Sequence, residues 1–129
     1  MTLPHLLLVM LGGGLGAGAR YLVSAATLRV FGPGFPVGTL AVNVIGSLLM
    51  GILIGWLVRH DASHASTLRS FLATGVLGGF TTFSAFSLDT AVLWERGEIT
   101  LAMIYIAVSV LLSITAVFAG LALMRSLSA

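Results

Sequence analysis

Cysteine and lysine are both absent from these 129 residues, and only 8% of them are charged. Without cysteine there can be no disulfide, no thiolate metal site and no cysteine nucleophile. With so few charges the chain cannot cover a water-facing surface. A composition 58% hydrophobic excludes an ordinary soluble domain of this length. The formal net charge of +2 comes from six arginines against four acids. So small and scattered an excess is not a nucleic-acid footprint. Hydrolytic constellations are missing as well. His5 is near the N-terminus, and His60 and His64 stand four apart in a loop with no third ligand for zinc. The run Gly12-Gly-Gly-Leu-Gly-Ala-Gly18 has no strand before it, so it is not a nucleotide fingerprint.

What the chain has is four long apolar runs, at about 3–28, 37–58, 68–94 and 99–124. Each can cross a hydrocarbon core of about 30 Å, which takes about 20 helical residues. The expected fold is an all-α membrane protein, a single four-helix transmembrane domain over 1–129. A turn-rich loop at 29–36, a loop at 59–67 holding His60, Asp61 and His64, and the tight turn Glu95-Arg-Gly-Glu98 join the spans. The N-terminal run lacks a basic region before it, so it is read as a retained first helix and not a signal peptide.

The third run carries the most information. Gly75-Val-Leu-Gly-Gly-Phe-Thr-Thr-Phe-Ser-Ala-Phe-Ser87 mixes glycine, hydroxyls and phenylalanine in a way no lipid-facing helix needs. Each glycine weakens a helix by about 1 kcal/mol relative to alanine. The hydroxyls that follow can cap a restarted helix. Freed backbone groups at membrane depth survive only where they bind something or line a wet cavity. The segment therefore predicts a third helix broken mid-membrane that handles ions. The first half-helix would end in carbonyls near Gly78 and Gly79, which suit a cation. The second would begin with N–H groups and a positive dipole end, which suit an anion.

Polar residues elsewhere fall into stripes. Thr39, Asn43 and Ser47 step by four and share a face of the second span. They serve either as interhelical glue or as a permeation track. Phe80, Phe83 and Phe86 step by three, the spacing of a packing stripe, but Thr82 and Ser84 are interleaved with them. The positive edge of an aromatic ring can meet an anion without holding it tightly. Tyr105, Ser109, Ser113 and Thr115 put hydroxyls along the fourth span, where back-bonding to their own helix is the alternative use. Arg20 lies inside the first span. It is read either as an anion attractor at a vestibule or as a side chain snorkelling or pairing with Asp89. Dense small residues, as in Gly14-Leu-Gly-Ala-Gly18 and Gly51-Ile-Leu-Ile-Gly55, favour close helix pairing.

The arginines divide evenly between the two sides of the membrane. Arg59, Arg69 and Arg125 fall on one side, and Arg29, Arg96 and the nearby Arg20 on the other. A chain without positive-inside bias can insert both ways and pair as an antiparallel homodimer. The alternative is a single orientation set by the insertion machinery.

Three motifs in order resemble the small fluoride channels of the Fluc (CrcB) family. They are Gly13-Gly-Leu-Gly-Ala-Gly-Ala-Arg-Tyr21, Gly38-Thr-Leu-Ala-Val-Asn-Val-Ile-Gly-Ser47 and the third-span segment from Gly75 to Phe86. The resemblance implies an antiparallel, dual-topology homodimer in the bacterial inner membrane, with two fluoride pores drawing on both subunits. It implies that Phe83 and Phe86 line a pore and that Asn43 donates to the ion. Thr82, Ser84, Tyr105, Ser109, Ser113 and Thr115 would supply hydroxyls, and Arg20 matches the arginine of the first motif. Backbone carbonyls of Gly78 and Thr81, doubled by the two-fold axis, would hold a structural central sodium ion. The implied role is passive export of cytosolic fluoride down its electrochemical gradient, with no enzymatic activity. Ala85 departs from the family, which often has threonine there, and Asp89 stands where glutamate is frequent. Another four-helix class, the small dual-topology proton-coupled multidrug exporters, needs a membrane-embedded carboxylate. The first span has no acid, and Asp89 lies towards a helix end. A non-transporting packing subunit would explain the glycines but not the broken Phe-rich segment.

Overall fold

A computed structural model describes residues 2–60 and 63–127. Asp61 of the second loop lies outside the described residues. Helix α1 runs Leu3–Phe31 and α2 runs Val37–Arg59. The third span is composite: a short α3 (Ala65–Leu68), a π-helical segment Arg69–Leu77, α4 (Gly78–Phe80), and then α5 (Phe83–Glu95). Helix α6 runs Ile99–Leu127. Leu3–Phe31, Val37–Arg59, Ala65–Glu95 and Ile99–Leu127 are each long and apolar enough to cross a membrane. This is the architecture of a multi-pass membrane protein, all-helical, with the third span interrupted.

Local chemistry explains the ends. Thr2 caps α1 by accepting the His5 N–H at 3.4 Å, and Pro4 occupies the first turn, where its missing N–H is harmless. Gly32 ends α1 and Gly97 turns the chain between α5 and α6, both with positive φ that side chains resist.

Glycine decides how closely the helices approach. A Cβ on Gly12 would meet the Phe71 carbonyl oxygen at 2.5 Å, and one on Gly16 would meet the Phe80 nitrogen at 2.8 Å. From the other side, a Cβ on Gly75 or Gly79 would strike the backbone of α1. Helix α1 and the first half of the third span therefore touch backbone to backbone. The pairing of α2 with α6 works the same way. A Cβ on Gly51 would come within 3.1 Å of Gly120 Cα, and one on Gly120 within 2.6 Å of the Ile52 nitrogen. The third span changes partner at its interruption. Before it, the π segment and α4 lie along α1; after it, α5 lies along α6.

The interruption is not where the glycines are. Gly75, Gly78 and Gly79 stay helical, and the extended residues are Thr81 (φ −86°, ψ 157°) and Thr82 (φ −154°, ψ 119°). Two of these glycines are consumed by close packing on α1, which holds them in helical register. In the π segment the N–H of Gly78 reaches back to Ala73, five residues earlier, a widened ladder frequent at functional sites.

Gly16→Val should destabilise the fold by about 3 kcal/mol or more, because the obstructing atoms are backbone and cannot yield. Gly14→Ala, with nothing within 4 Å of its Cβ, is the matched control. Thermal unfolding in detergent should show a large loss of midpoint for the first and little change for the second.

Candidate functional site

At the interruption, backbone groups on both sides lose their helical partners. In an unbroken helix the Thr82 N–H would bond the Gly78 carbonyl, and the Phe83 N–H the Gly79 carbonyl. Here side chains from other helices take their places. Asn43 of α2 grips Thr82 from both sides: Thr82 N–H donates to Oδ1 at 2.7 Å, and Nδ2 donates to the Thr82 carbonyl at 3.0 Å. Arg20 of α1 donates from Nε to the Gly79 carbonyl at 3.0 Å. The restart is capped as its hydroxyls suggest, for Thr82 Oγ1 accepts the Ala85 N–H at 3.1 Å. The Gly78 carbonyl is left without its helical donor.

Beside this point lies a groove of about 460 Å³. Asn43 and Ser47 line one side, Thr82, Phe83 and Phe86 another, and Ser109 and Ser113 of α6 a third. Ser109 is only 5% exposed. The Oγ atoms of Ser109 and Ser113 are buried and have no hydrogen-bond partner among the described residues. Neither is back-bonded to its own helix, the ordinary use of such hydroxyls. A buried hydroxyl without a partner costs about 1–3 kcal/mol, so each marks a place where something polar belongs. Phe83 and Phe86 stand with ring centroids 5.5 Å apart, and Phe83 is 77% exposed.

The structure thus brings Asn43, Ser47, Thr82, Phe83, Phe86, Ser109 and Ser113 to one surface. Other candidates stand apart. Ser84 is exposed, its Oγ 3.2 Å from Thr82 Oγ1. Thr115 is exposed and turned off the groove, as two residues beyond Ser113 on an α-helix must be. Tyr105 is fully buried and donates its hydroxyl to Asp89 at 3.1 Å. Its ring is wedged between Phe86 at 5.2 Å and Phe35 at 5.4 Å. Thr39 lines a second cavity, of about 250 Å³, near the α1–α2 loop with Asp89, Phe35 and Arg96. Phe80 leaves the stripe and packs towards Gly46. The pairing of Arg20 with Asp89 is not found, because Asp89 is held by Tyr105 and Arg20 by Gly79. Phe35 had no signal in the sequence; nothing in a Gly-Pro-Gly-Phe-Pro loop says that its ring folds back on the fourth span. No cluster of three or more His, Asp or Glu side chains suited to a metal is present among the described residues.

Apolar spans around a side-chain-clamped break, with unsatisfied hydroxyls facing it, define a small multi-pass membrane protein with a polar site at its centre. The chain belongs to the family described as "CrcB-like protein, Camphor Resistance (CrcB)", whose profile matches residues 7–121. It is 56% identical over 123 residues to the fluoride-specific ion channel FluC of Chelativorans sp.. It is 55% identical over 122 residues to the fluoride-specific ion channel FluC 2 of Nitrobacter hamburgensis, and 53% over 123 to FluC of Cereibacter sphaeroides. These alignments cover 95% of this chain and 96–98% of the relatives.

Replacing Asn43 should loosen the break. Asn43→Leu removes the acceptor of the Thr82 N–H and one donor to its carbonyl, and should lower unfolding stability by about 2 kcal/mol or more. Asn43→Asp keeps an acceptor for the N–H but sets a carboxylate oxygen against the Thr82 carbonyl, and should fall between. Denaturant titration of the three proteins side by side gives the order.

Proposed function

We propose that the chain is a fluoride-selective passive ion channel that lets cytosolic fluoride leave down its electrochemical gradient. The observation that carries this reading is the pair of buried, unpartnered hydroxyls on Ser109 and Ser113, facing Asn43, Phe83 and Phe86 across the groove. Fluoride is small and tightly hydrated, so a path for it must replace water with converging donors. Hydroxyl O–H groups, the second N–H of Asn43 Nδ2 and the positive edges of Phe83 and Phe86 are such donors. None is a full cation, so the ion is passed on and not trapped. Chloride is larger, and a narrow, rigid path rejects it. The named relatives, all fluoride-specific ion channels, support the same reading and favour no enzymatic role.

The groove is open on one side, and Phe83 and Ser84 beside it are exposed. A second copy inserted in the opposite sense would cover them and give two pores per antiparallel homodimer, each drawing on both subunits. The even division of arginines across the membrane supports such dual topology. The carbonyls of Gly78 and Thr81 suit a structural sodium ion between the two copies. Gly78 is exposed and lacks its helical donor, and Thr81 has left the helix, so both oxygens are free of intrahelical bonds. The bound ion would supply a fixed positive charge that lowers the barrier for an anion. The expected location is the bacterial inner membrane.

Vesicles holding the purified protein should release fluoride rapidly and chloride slowly; comparable release of both, or of neither, would sink the proposal. The double variant Ser109→Ala/Ser113→Ala separates a permeation role from a packing role. It should leave thermal stability unchanged or higher, because it removes two unsatisfied buried groups, yet cut fluoride flux by about tenfold or more. Subunits tagged at one terminus should be labelled from both membrane faces, whereas one-sided labelling would rule out dual topology.

A further inference from the structure

Arg20 lies 11 residues before the end of α1, about 16 Å along the helix axis. It shares a helix face with Gly12, Gly13 and Gly16, the face on which the third span lies. Gly13 packs directly on Gly79, so the carbonyl of Gly79 is brought against α1. Two turns further along the same face, Arg20 meets that carbonyl with Nε at 3.0 Å.

We propose that Arg20 is a positioning residue: its Nε–H is the cap that holds the last turn of the first half-helix in place. The bond does for Gly79 what Asn43 does for Thr82. The carbonyl that the break deprives of Phe83 N–H gets a donor from a neighbouring helix, within a span apolar enough to cross a membrane. A cation is also well placed there, because the carbonyl end of a helix is its negative end. With the Gly79 oxygen occupied, the Gly78 carbonyl beside it is still without its helical donor. The geometry of the break thus depends on a donor at one atom, Nε, and not on a mobile positive charge.

Side-chain lengths make this testable. Glutamine carries an N–H at the same bond depth as arginine Nε but no charge. Lysine keeps the charge but moves its donor one bond further out. Methionine has neither donor nor charge. Hydrogen exchange of the amides of residues 76–80 is to be followed in the full-length wild type, Arg20→Gln, Arg20→Lys and Arg20→Met, with fluoride flux measured alongside. Arg20→Gln should stay within about threefold of wild-type exchange, while Arg20→Lys and Arg20→Met exchange about tenfold faster, the scale of one lost buried hydrogen bond. Flux should rank Arg20→Gln above Arg20→Lys.

Wild-type protection in Arg20→Lys together with higher flux than Arg20→Gln would assign Arg20 to attracting anions and overturn the proposal. Unchanged exchange in all three variants would overturn it too. Should Arg20→Met fail to fold, the glutamine and lysine pair still decides. The proposal rests on the channel reading only for the flux ranking. A wild type that passes no fluoride defeats that reading, and the exchange comparison still stands.

Discussion

Everything in this molecule depends on where the freed peptide groups of the third span find partners. In hydrocarbon an unpaired N–H or C=O costs several kcal/mol, so a helix cannot stop mid-membrane by local preference alone. It stops because other helices offer something better. Asn43 is matched to the task, since its amide presents one acceptor and one donor to the two sides of a single peptide residue. Arg20 covers a third group from the opposite flank. The break is therefore a tertiary feature made by α1 and α2, with Thr82 adding the local cap that restarts α5.

That arrangement requires the helices to be close, and here the small residues act. Gly12, Gly16, Gly75 and Gly79 bring α1 onto the third span, and Gly51 and Gly120 bring α2 onto α6. Lipid offers no hydrophobic drive to pair apolar helices, so close backbone packing has to supply the attraction. The third span exploits both halves of this framework, lying on α1 before the break and on α6 after it. The break thereby falls between the two helix pairs, beside the inward faces of α2 and α6.

What lies there is a polar surface left deliberately incomplete. Most buried polar atoms in a folded protein are paired, yet Ser109 and Ser113 are not, and the exposed Phe83 faces outward with a groove beside it. In the channel we propose, a small anion and a second copy of the chain would complete that surface, and neutral donors would let the ion be held and released. Tyr105 closes the far end, wedged between Phe35 and Phe86 with its hydroxyl on Asp89, and separates the groove from the cavity near the loop.

The sequence by itself determined the membrane class, four spans and their limits to within a few residues, because length and hydropathy are local properties. It also determined the family and the composite third span, through the Gly-Phe-Thr-Thr-Phe-Ser segment. Asn43, Phe83, Phe86, Ser109 and Ser113 were legible as polar or aromatic steps on helix faces. Periodicity alone did not say which stripes would meet. Only the tertiary structure decided that the break falls at Thr81 and Thr82 and not at the glycines. A glycine's helix weakness is small beside the packing that holds Gly75 and Gly79 against α1. Only it decided that Arg20 joins Gly79, that Asp89 joins Tyr105, that Thr115 faces away and that Phe35 folds onto the fourth span. Those outcomes depend on which helices lie side by side. That is fixed by close backbone approach across the whole chain, which no single segment records.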